Sequence, residues 1–257
     1  MHTLELITPG VVPYGLALAM QLHLRQRIAA LPSQDQQTGY LLCLQHPPVI
    51  TLGKRGLPDA LLNPATLKEQ GIEVFKIDRG GEATYHEPGQ LVVYPILPLQ
   101  SMQLGVVDLI RNMAECMAEC VRPFGAEVAY DKEVPGLWTT PDATHPVRRK
   151  MASVGMRVSK GVSTHGIAIN LINDMRGFQL IVPCGMPGTP FCNLLDFIKK
   201  KPTTRREQDA LVERVLSDFQ ERFGAYLKLT PTPATLDWES VEPVAPMEAG
   251  ELNRSAL

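Results

Sequence analysis

A cysteine in a loop of unusual composition could act as a nucleophile. Cys184 lies in the segment 183–190, which contains three prolines and two glycines, and Gly185 follows it directly. A neighbouring glycine leaves room for the backbone to approach a carbonyl group. The attacking species would be the thiolate, and an ordinary cysteine pKa of about 8.5 leaves only a few per cent ionised at neutral pH. A reactive Cys184 therefore requires a basic or cationic neighbour.

Three side chains have the chemistry to be that neighbour: Lys150, His86 and His165. Lys150 begins the segment KMASVGMRV, and a lysine that is partly desolvated has a lowered pKa and can act as a base. His165 begins the apolar segment HGIAINL. Residue types alone leave the choice open, because a strand-end lysine is commonly solvated and a histidine before a glycine is commonly a turn residue.

A second loop, RGGEATYHEPGQ at 79–90, could hold a ligand. The pair Gly80 and Gly81 permits close backbone approach and offers N–H groups, and Thr84 and His86 add side-chain donors. A glycine pair can equally be a simple turn or bulge. The spacing matches neither a phosphate-binding loop nor a dinucleotide-binding turn. It therefore supports neither a nucleoside triphosphate nor a nicotinamide cofactor, and we predict no cofactor.

Composition excludes several function classes. The 257 residues carry a formal net charge of -2, which gives no global attraction to nucleic acid or an anionic membrane. The N-terminus does not resemble a secretory signal, and no stretch approaches the length of a membrane span. The five cysteines have no disulfide-framework or metal-ligand spacing. We therefore predict a cytoplasmic protein with reduced thiols and no metal site.

The elements that must position these loops follow from hydrophobic periodicity and turn residues. Helices are predicted at 12–30, 64–70, 106–124 and 207–226. Strands are predicted at 40–44, 49–52, 72–77, 91–97, 127–130, 136–139, 153–158 and 166–171. This order predicts an α/β (α+β) fold with a mixed sheet flanked by helices, in a single domain of residues 1–229. The proline-rich residues 230–257 are predicted to form a loosely ordered tail.

Several ordered motifs together resemble the octanoyltransferases of lipoate biosynthesis, the lipoyl/octanoyl transferase family. The motifs are HPPVITLGKRG at 46–56, RGGEATYHEPGQLVVYPI at 79–96, PGLW at 135–138, RKMASVGMRV at 149–158, THGIAINL at 164–171, the Asn173–Asp174 pair and PCG at 183–185. The resemblance covers about residues 10–225. It implies an acyltransferase catalytic domain with the fold of the biotin/lipoate protein ligases.

The resemblance also implies roles for individual residues. Cys184 corresponds to the acyl-thioester nucleophile, and Lys150 to the lysine that lowers the cysteine pKa and serves as acid and base. The stretches that correspond to the acyl-substrate site comprise Arg79, Gly80, Gly81, Glu82, Ala83, Thr84, Tyr85, His86, Ser153, Val154, Gly155, His165, Gly166 and Ile167. Backbone N–H groups near Gly80–Gly81 and Gly185 are expected to hold the oxyanion.

The implied partners are proteins. The donor is octanoyl-acyl carrier protein, and the acceptors are the lipoyl domains of 2-oxoacid dehydrogenase complexes and the glycine cleavage H protein. No nucleic acid or membrane partner is implied. The basic run 199–206 could steer an acidic carrier protein toward the enzyme.

Other functions of the same fold remain possible at this stage. An ATP-dependent lipoate- or biotin-type ligase would need a lysine in its glycine-rich loop, and RGGEATYH lacks one. A transferase that moves octanoyl between two lipoyl-type domains would differ only in its donor. A non-catalytic module that binds acyl carrier would not need both Cys184 and Lys150. The sequence also departs from the family at the long connection 139–149 and at Cys192, which we expect to be a packing residue.

Overall fold

The computed structural model describes residues 2–182, 188–248 and 251. Its helices are α1 (Tyr14–Ala29), α2 (Pro64–Glu69), α3 (Val106–Val121) and α4 (Arg205–Leu227). Its strands are β1 (Thr3–Val11), β2 (Thr38–Gln45), β3 (Val49–Leu52), β4 (Glu73–Lys76), β5 (Ala83–His86), β6 (Gln90–Ile96), β7 (Val128–Asp131), β8 (Gly136–Thr139), β9 (Lys150–Ser159), β10 (Val162–Asn170) and β11 (Pro231–Pro233).

Eight of these strands form one mixed sheet in the order β11-β1-β2-β6-β10-β9-β8-β7. β1 pairs in parallel with both β2 and β11, and the other neighbours are antiparallel. The second sheet has the order β4-β3-β5, with β3 parallel to β4 and antiparallel to β5. The predicted mixed sheet flanked by helices is therefore confirmed.

Both faces of the large sheet are covered, as its apolar strands require. On one face, α3 and α4 pack with each other and with alternate strand residues such as Leu41 and Val93. On the other face, α1 packs against Leu42, Val92 and Ala168. Successive side chains of a strand point to opposite faces, so each central strand contributes to two cores.

The helix ends follow local sequence signals. Thr204 caps α4 in a reciprocal capping box with Glu207, and the Asn63 side chain accepts a hydrogen bond from Thr66 N–H before Pro64 at the first turn of α2. Gly125, with a φ of 90°, closes the turn after α3. These ends lie close to the predicted boundaries.

Three strands lie where none was predicted: β1, β5 and, in the tail, β11. β1 contains Pro9 and Gly10, which normally interrupt a strand, and its pairing with β2 shifts register between Ile7 and Gly10. A bulge of this kind accommodates both residues. β5 lies inside the segment that was predicted as a loop, 79–89. Its polar residues lack the apolar pattern of a strand, and its pairing with β3 is not visible in the local sequence.

The tail beyond residue 229 differs from its prediction. β11 extends the edge of the large sheet, where prolines are tolerated because one side of the strand needs no donors. Leu236, Trp238 and Val241 pack against the core under α1, and Val244 N–H donates to the Gly15 carbonyl at 3.1 Å. The described tail, up to residue 248, is thus packed against the domain.

Candidate active site

A cavity of about 260 Å³ lies where the small sheet meets the large sheet. β5 forms one wall, and β6, β9 and β10 form the opposite wall. The two sheets approach each other at Thr84 Oγ1, which lies 3.5 Å from Ser153 Oγ. The lining is mixed, with aliphatic residues beside histidine, tyrosine and lysine side chains. Such a cavity suits a ligand with an apolar part and a polar reacting end.

Glycines allow the loop before β5 to lie directly on the large sheet. Gly155 and Gly166 are opposite each other on β9 and β10, and a Cβ atom at Gly155 would stand 2.8 Å from the Gly80 carbonyl oxygen. Gly80 N–H donates to the Met156 carbonyl at 3.2 Å. The Gly80 N–H group is therefore already used, which removes it from the expected oxyanion site. Within that pair, Gly81 remains as a donor.

The Arg79 guanidinium holds the loop together. Nη2 donates to the Thr51 carbonyl at 2.7 Å and to the Glu82 carbonyl at 2.8 Å, and Nη1 donates to the Gly80 carbonyl at 2.9 Å. One side chain thus binds three backbone oxygens, one on β3 and two in the loop. Arg79 lines the cavity, and these hydrogen bonds give it a structural role in shaping the loop.

Lys150 is buried at the cavity wall with a residual exposure of 2%. It begins β9 opposite Trp138 of β8, and its Nζ lies 5.3 Å from the centre of the Trp138 ring. Its Cε passes within 2.6 Å of the place where a Cβ of Gly136 would stand. The absence of a side chain at Gly136 therefore lets the lysine cross β8 and reach the cavity.

The chain on either side of residues 183–187 is held by backbone hydrogen bonds. Before the segment, Val182 N–H donates to the Ala60 carbonyl at 2.8 Å. After it, Lys150 N–H donates to the Pro190 carbonyl at 2.8 Å, and Cys192 N–H donates to the Lys150 carbonyl at 3.1 Å. The predicted nucleophile Cys184 lies outside the described residues, as does Gly185.

Two buried histidines are held in the neutral form. His46 Nδ1 contacts the Val12 carbonyl at 2.7 Å, and its Nε2 lies 2.9 Å from the Tyr94 hydroxyl. Burial lowers the pKa of His46 to about 4. Burial, followed by repulsion from His46, lowers the pKa of His86 to about 3. Neither ring can serve as a general base near neutral pH.

His165 has a strained backbone and an acidic partner. Its φ of 57° is unusual for a residue other than glycine, and its backbone N–H donates to Gln21 Oε1 at 2.8 Å. Nε2 lies 3.2 Å from Asp78 Oδ1. Burial lowers the pKa of His165, and the Asp78 carboxylate partly opposes this shift. The pair fixes the ring orientation at the cavity wall.

The structure brings nearly all of the predicted binding residues together. The cavity is lined by Arg79, Gly80, Gly81, Glu82, Ala83, Thr84, His86, Ser153, Val154, Gly155, His165, Gly166 and Ile167, and also by Lys150. Tyr85 points to the other side of β5, where its ring packs edge-on against Phe178 with centroids 5.7 Å apart. Alternation along β5 places Thr84 and His86 in the cavity and Tyr85 outside it.

Sequence reasoning missed several lining residues. Tyr14 stands at the start of α1, and Val92 and Tyr94 alternate along β6 on the same face as Ala168 of β10. The period of two in QLVVYPI could have indicated that Val92 and Tyr94 share a face. No sequence signal links Tyr14 to this wall, because the contact depends on how α1 crosses the sheet.

The other described thiols have the properties of packing residues. Cys192 is 1% exposed, and burial raises its pKa to about 12. Burial also raises the pKa of Cys43 and Cys120, and that of Cys116 to about 11. Within the described ranges, no group of three or more His, Cys, Asp or Glu residues could hold a metal ion. The same ranges contain no helix that is long and apolar enough to cross a membrane.

Comparison with known sequences identifies one family over most of the chain. The sequence profile of the lipoyl protein ligase A/B catalytic domain matches residues 13–216. An octanoyltransferase of Chloroflexus aggregans is 35% identical over 224 residues, covering 86% of this chain and 97% of its own. An octanoyltransferase of Desulfotalea psychrophila is 36% identical over 222 residues, covering 86% and 94%.

Solved structures share the fold at low sequence identity. A lipoate-protein ligase A bound with ATP superposes with a TM-score of 0.67 at 18% identity, covering 93% of this chain and 92% of its own. A bipartite lipoate protein ligase of Thermoplasma acidophilum superposes with a TM-score of 0.67 at 16% identity, covering 93% and 90%. At these identities the likeness concerns the fold alone.

Proposed function

The chain belongs to the octanoyltransferases of the lipoyl protein ligase A/B catalytic-domain family, and from that premise we propose that it moves an octanoyl group from octanoyl-acyl carrier protein to a lysine of a lipoyl domain. The chain is thus an acyltransferase enzyme that acts in protein lipoylation. The octanoyl group would pass through a thioester on Cys184.

One observation carries the mechanistic part of the proposal. A lysine is buried at the wall of the cavity around which the predicted binding segments meet, and its backbone is bonded to the chain that follows Cys184. Burying a charged lysine side chain costs free energy, so a buried lysine usually has a functional or structural role. A cation or base beside a thiol supplies what a nucleophilic cysteine requires.

In the first half-reaction, the Cys184 thiolate attacks the carbonyl carbon of the donor thioester. The carrier's C–S bond breaks, and the leaving carrier thiolate takes a proton from the Lys150 ammonium. The Gly81 N–H group is a candidate to stabilise the oxyanion, since the loop places Gly81 at the cavity wall. Because one thioester replaces another, this step needs little driving force.

In the second half-reaction, a lysine amine of the acceptor attacks the acyl-enzyme. The new C–N bond forms, the bond to Cys184 breaks, and neutral Lys150 accepts a proton from the attacking nitrogen. Conversion of a thioester to an amide is downhill, so the cycle needs no ATP and no cofactor.

The acyl chain would lie against the apolar part of the cavity wall, which includes Val92, Val154, Ile167 and Ala168. Each buried CH₂ group contributes about 0.8 kcal/mol, so a seven-carbon tail would contribute at most about 6 kcal/mol. The proposed acceptors are the lipoyl domains of 2-oxoacid dehydrogenase complexes and the glycine cleavage H protein. The reaction is proposed to take place in the cytoplasm.

The test is a transfer assay with purified components. Octanoyl-acyl carrier protein and an unmodified lipoyl domain are incubated with the enzyme without ATP, and the mass of the lipoyl domain is measured. The proposal expects a gain of one octanoyl group. A gain that appears only when free octanoate and ATP are supplied would instead identify a ligase. A gain that requires an octanoylated lipoyl-type protein as donor would identify a transferase between lipoyl domains.

A further inference from the structure

The orientation of one buried amide is fixed by its partners. Gln90 Nε2 donates to the Tyr85 carbonyl at 3.2 Å and to Asn170 Oδ1 at 2.9 Å. Asn170 is itself oriented, because its Nδ2 donates to the Cys192 carbonyl at 3.3 Å. Since both partners of Gln90 Nε2 are oxygen acceptors, the other end of the Gln90 amide must be the carbonyl oxygen.

That amide determines the tautomer of His86. Gln90 Oε1 lies 2.6 Å from His86 Nδ1, and a carbonyl oxygen can only accept, so Nδ1 carries the hydrogen. In a neutral ring, Nε2 then has a lone pair. The ring lines the cavity, and Nε2 makes no hydrogen bond to the described residues. His86 therefore presents an acceptor to the cavity, whereas its sequence position had suggested a donor.

The Tyr94 hydroxyl at the cavity wall is also a hydrogen-bond acceptor. His46 Nδ1 donates to the Val12 carbonyl, so His46 Nε2 must accept the hydrogen of the Tyr94 hydroxyl. The Tyr94 oxygen, whose residue also lines the cavity, is left with its lone pairs. This part of the wall is therefore suited to a ligand group that carries N–H hydrogens.

We propose that His86 Nε2 accepts a hydrogen bond from the attacking amine of the acceptor lysine, and that Gln90 is the positioning residue that fixes the required tautomer. The inference rests on the proposed function and assigns a task within its second half-reaction. Attack by the amine forms the C–N bond, releases the Cys184 thiolate and transfers one N–H proton to Lys150. A remaining N–H hydrogen points to His86 and stays on nitrogen.

The chemistry of the two steps explains why the effect belongs to the second. As the amine nitrogen attacks, it gains positive charge, and its N–H groups become stronger donors. The neutral His86 ring can stabilise that charge without taking the proton, because burial disfavours its cationic form. In the first step, the attacking and leaving atoms are both sulfur and bring no N–H group to the reacting carbon.

Two substitutions of His86 distinguish the contribution of Nδ1 from that of Nε2. His86→Asn places an amide N–H near the position of Nδ1, which keeps the bond to Gln90 and removes the cavity acceptor. His86→Gln reaches the position of Nε2 and can place its carbonyl oxygen there. Acyl-enzyme isolated from each variant is offered either a lipoyl-domain lysine or the thiol of free pantetheine, and both transfer rates are measured.

We expect the ratio of the amine rate to the thiol rate to fall about 10-fold to 100-fold in His86→Asn, the loss typical of a hydrogen bond to a charged group. His86→Gln is expected to recover most of the ratio. A His86→Asn ratio within about two-fold of wild type would overturn the inference. If wild-type enzyme forms no acyl-enzyme at all, the proposed function itself fails, which is a different result.

A spectroscopic readout is independent of turnover. The ¹⁵N shifts of the His86 ring, assigned by their loss in His86→Asn, should show a neutral Nδ1–H tautomer that persists between pH 7 and pH 5. An Nε2–H tautomer, or a ring that becomes protonated in that range, would overturn the inference even if the variants lose activity.

Discussion

The burial of Lys150 is the feature that most constrains the chemistry at the residue scale. Its side chain crosses β8 over Gly136 and lies beside the Trp138 ring, at a wall shared with the predicted binding residues. A solvated lysine would not need a glycine opposite its Cε. A thiol placed beside this amine would have a group that can carry a proton into and out of the reaction.

Replacing Lys150 with methionine keeps the volume and removes the charge. If Lys150 lowers the pKa of Cys184, we expect alkylation of Cys184 at pH 7 to slow by about 10-fold in this variant. A rise of about one unit in the pKa of the Cys184 thiol removes most of its thiolate form. The measurement is the pH dependence of iodoacetamide labelling, followed by peptide mass. The exposed Lys132→Met is the matched control. An unchanged pH profile in Lys150→Met would contradict the role.

The buried histidines make stability depend on pH. Folding lowers the pKa of His46 to about 4 and of His86 to about 3, below the usual 6.5, so the unfolded chain binds more protons below pH 6.5. The free energy of unfolding must therefore fall as pH decreases from about 6.5 toward about 4. Urea unfolding should show a loss on the order of 2 to 4 kcal/mol between pH 7 and pH 5.

His46→Asn provides the control for that experiment. Its amide can still donate to the Val12 carbonyl, and one titrating group is removed, so the loss between pH 7 and pH 5 should be smaller. Equal stability of the wild-type protein at both pH values would show that these rings are not held neutral by the fold.

The predicted binding residues that lie close together along the chain also lie together at the cavity. The glycine pair and polar side chains of 79–86 mark a loop between apolar strands, and all but Tyr85 line the cavity. Tyr14 was missed because its contact depends on tertiary packing. The acceptor role of His86 was missed as well, since it depends on Gln90 and on Asn170, which come together only in the folded sheets.

At the scale of the elements, the β8–β9 pair positions Lys150, the proposed acid and base. β8 is short, and its register with β9 shifts between Leu137 and Trp138. Thr139 N–H donates to the Arg149 carbonyl at 2.9 Å, which closes the base of the exposed connection 140–148. The long connection noted in the sequence is thus a loop between two paired strands, and it leaves the start of β9 in place.

Gly136→Ala tests this positioning. An added Cβ would stand 2.4 Å from the Ala152 carbonyl oxygen and 2.6 Å from Lys150 Cε, so the lysine and the strand must shift. We expect octanoyl transfer to fall at least about 10-fold, with a loss of about 1 to 3 kcal/mol in unfolding free energy. Gly105→Ala is the control, because its Cβ would meet the flexible Asp108 side chain at the start of α3. Normal transfer by Gly136→Ala would contradict the packing argument.

The elements that escaped prediction share a physical cause. β1 and β11 contain prolines or glycine, and each is stabilised by pairing with a strand that is distant in the sequence. Local propensity cannot report such pairing. The longer helices and the apolar central strands were predicted because their periodicity is a local signal, and they form both faces of the observed core.

At the scale of the whole molecule, two sheets create a cavity that neither forms alone. The C-terminal tail contacts both sheets. Met247 N–H donates to the Val74 carbonyl of β4 in the small sheet, and β11 pairs with β1 of the large sheet. The overall charge of -2 gives no general attraction for an acidic partner. Any electrostatic steering must therefore come from local basic groups.

The exposed basic run 199–206 is the segment we expect to steer an acidic carrier protein. Neutralising Lys200 and Lys201 to glutamine should lower the association rate several-fold at low salt, with little difference at high salt. Neutralising the exposed Lys68 and Lys160 changes the net charge equally and serves as the control. The same rate and salt dependence for all three proteins would rule out steering by this segment.

Intact-protein mass measurement tests the proposed covalent route through Cys184. The enzyme is incubated with octanoyl-acyl carrier protein without an acceptor, and the mass of the chain is measured before and after addition of a lipoyl domain. The covalent route predicts one octanoyl adduct that is absent from Cys184→Ala and disappears when the acceptor is added. No adduct on the wild-type chain, or the same adduct on Cys184→Ala, would contradict it.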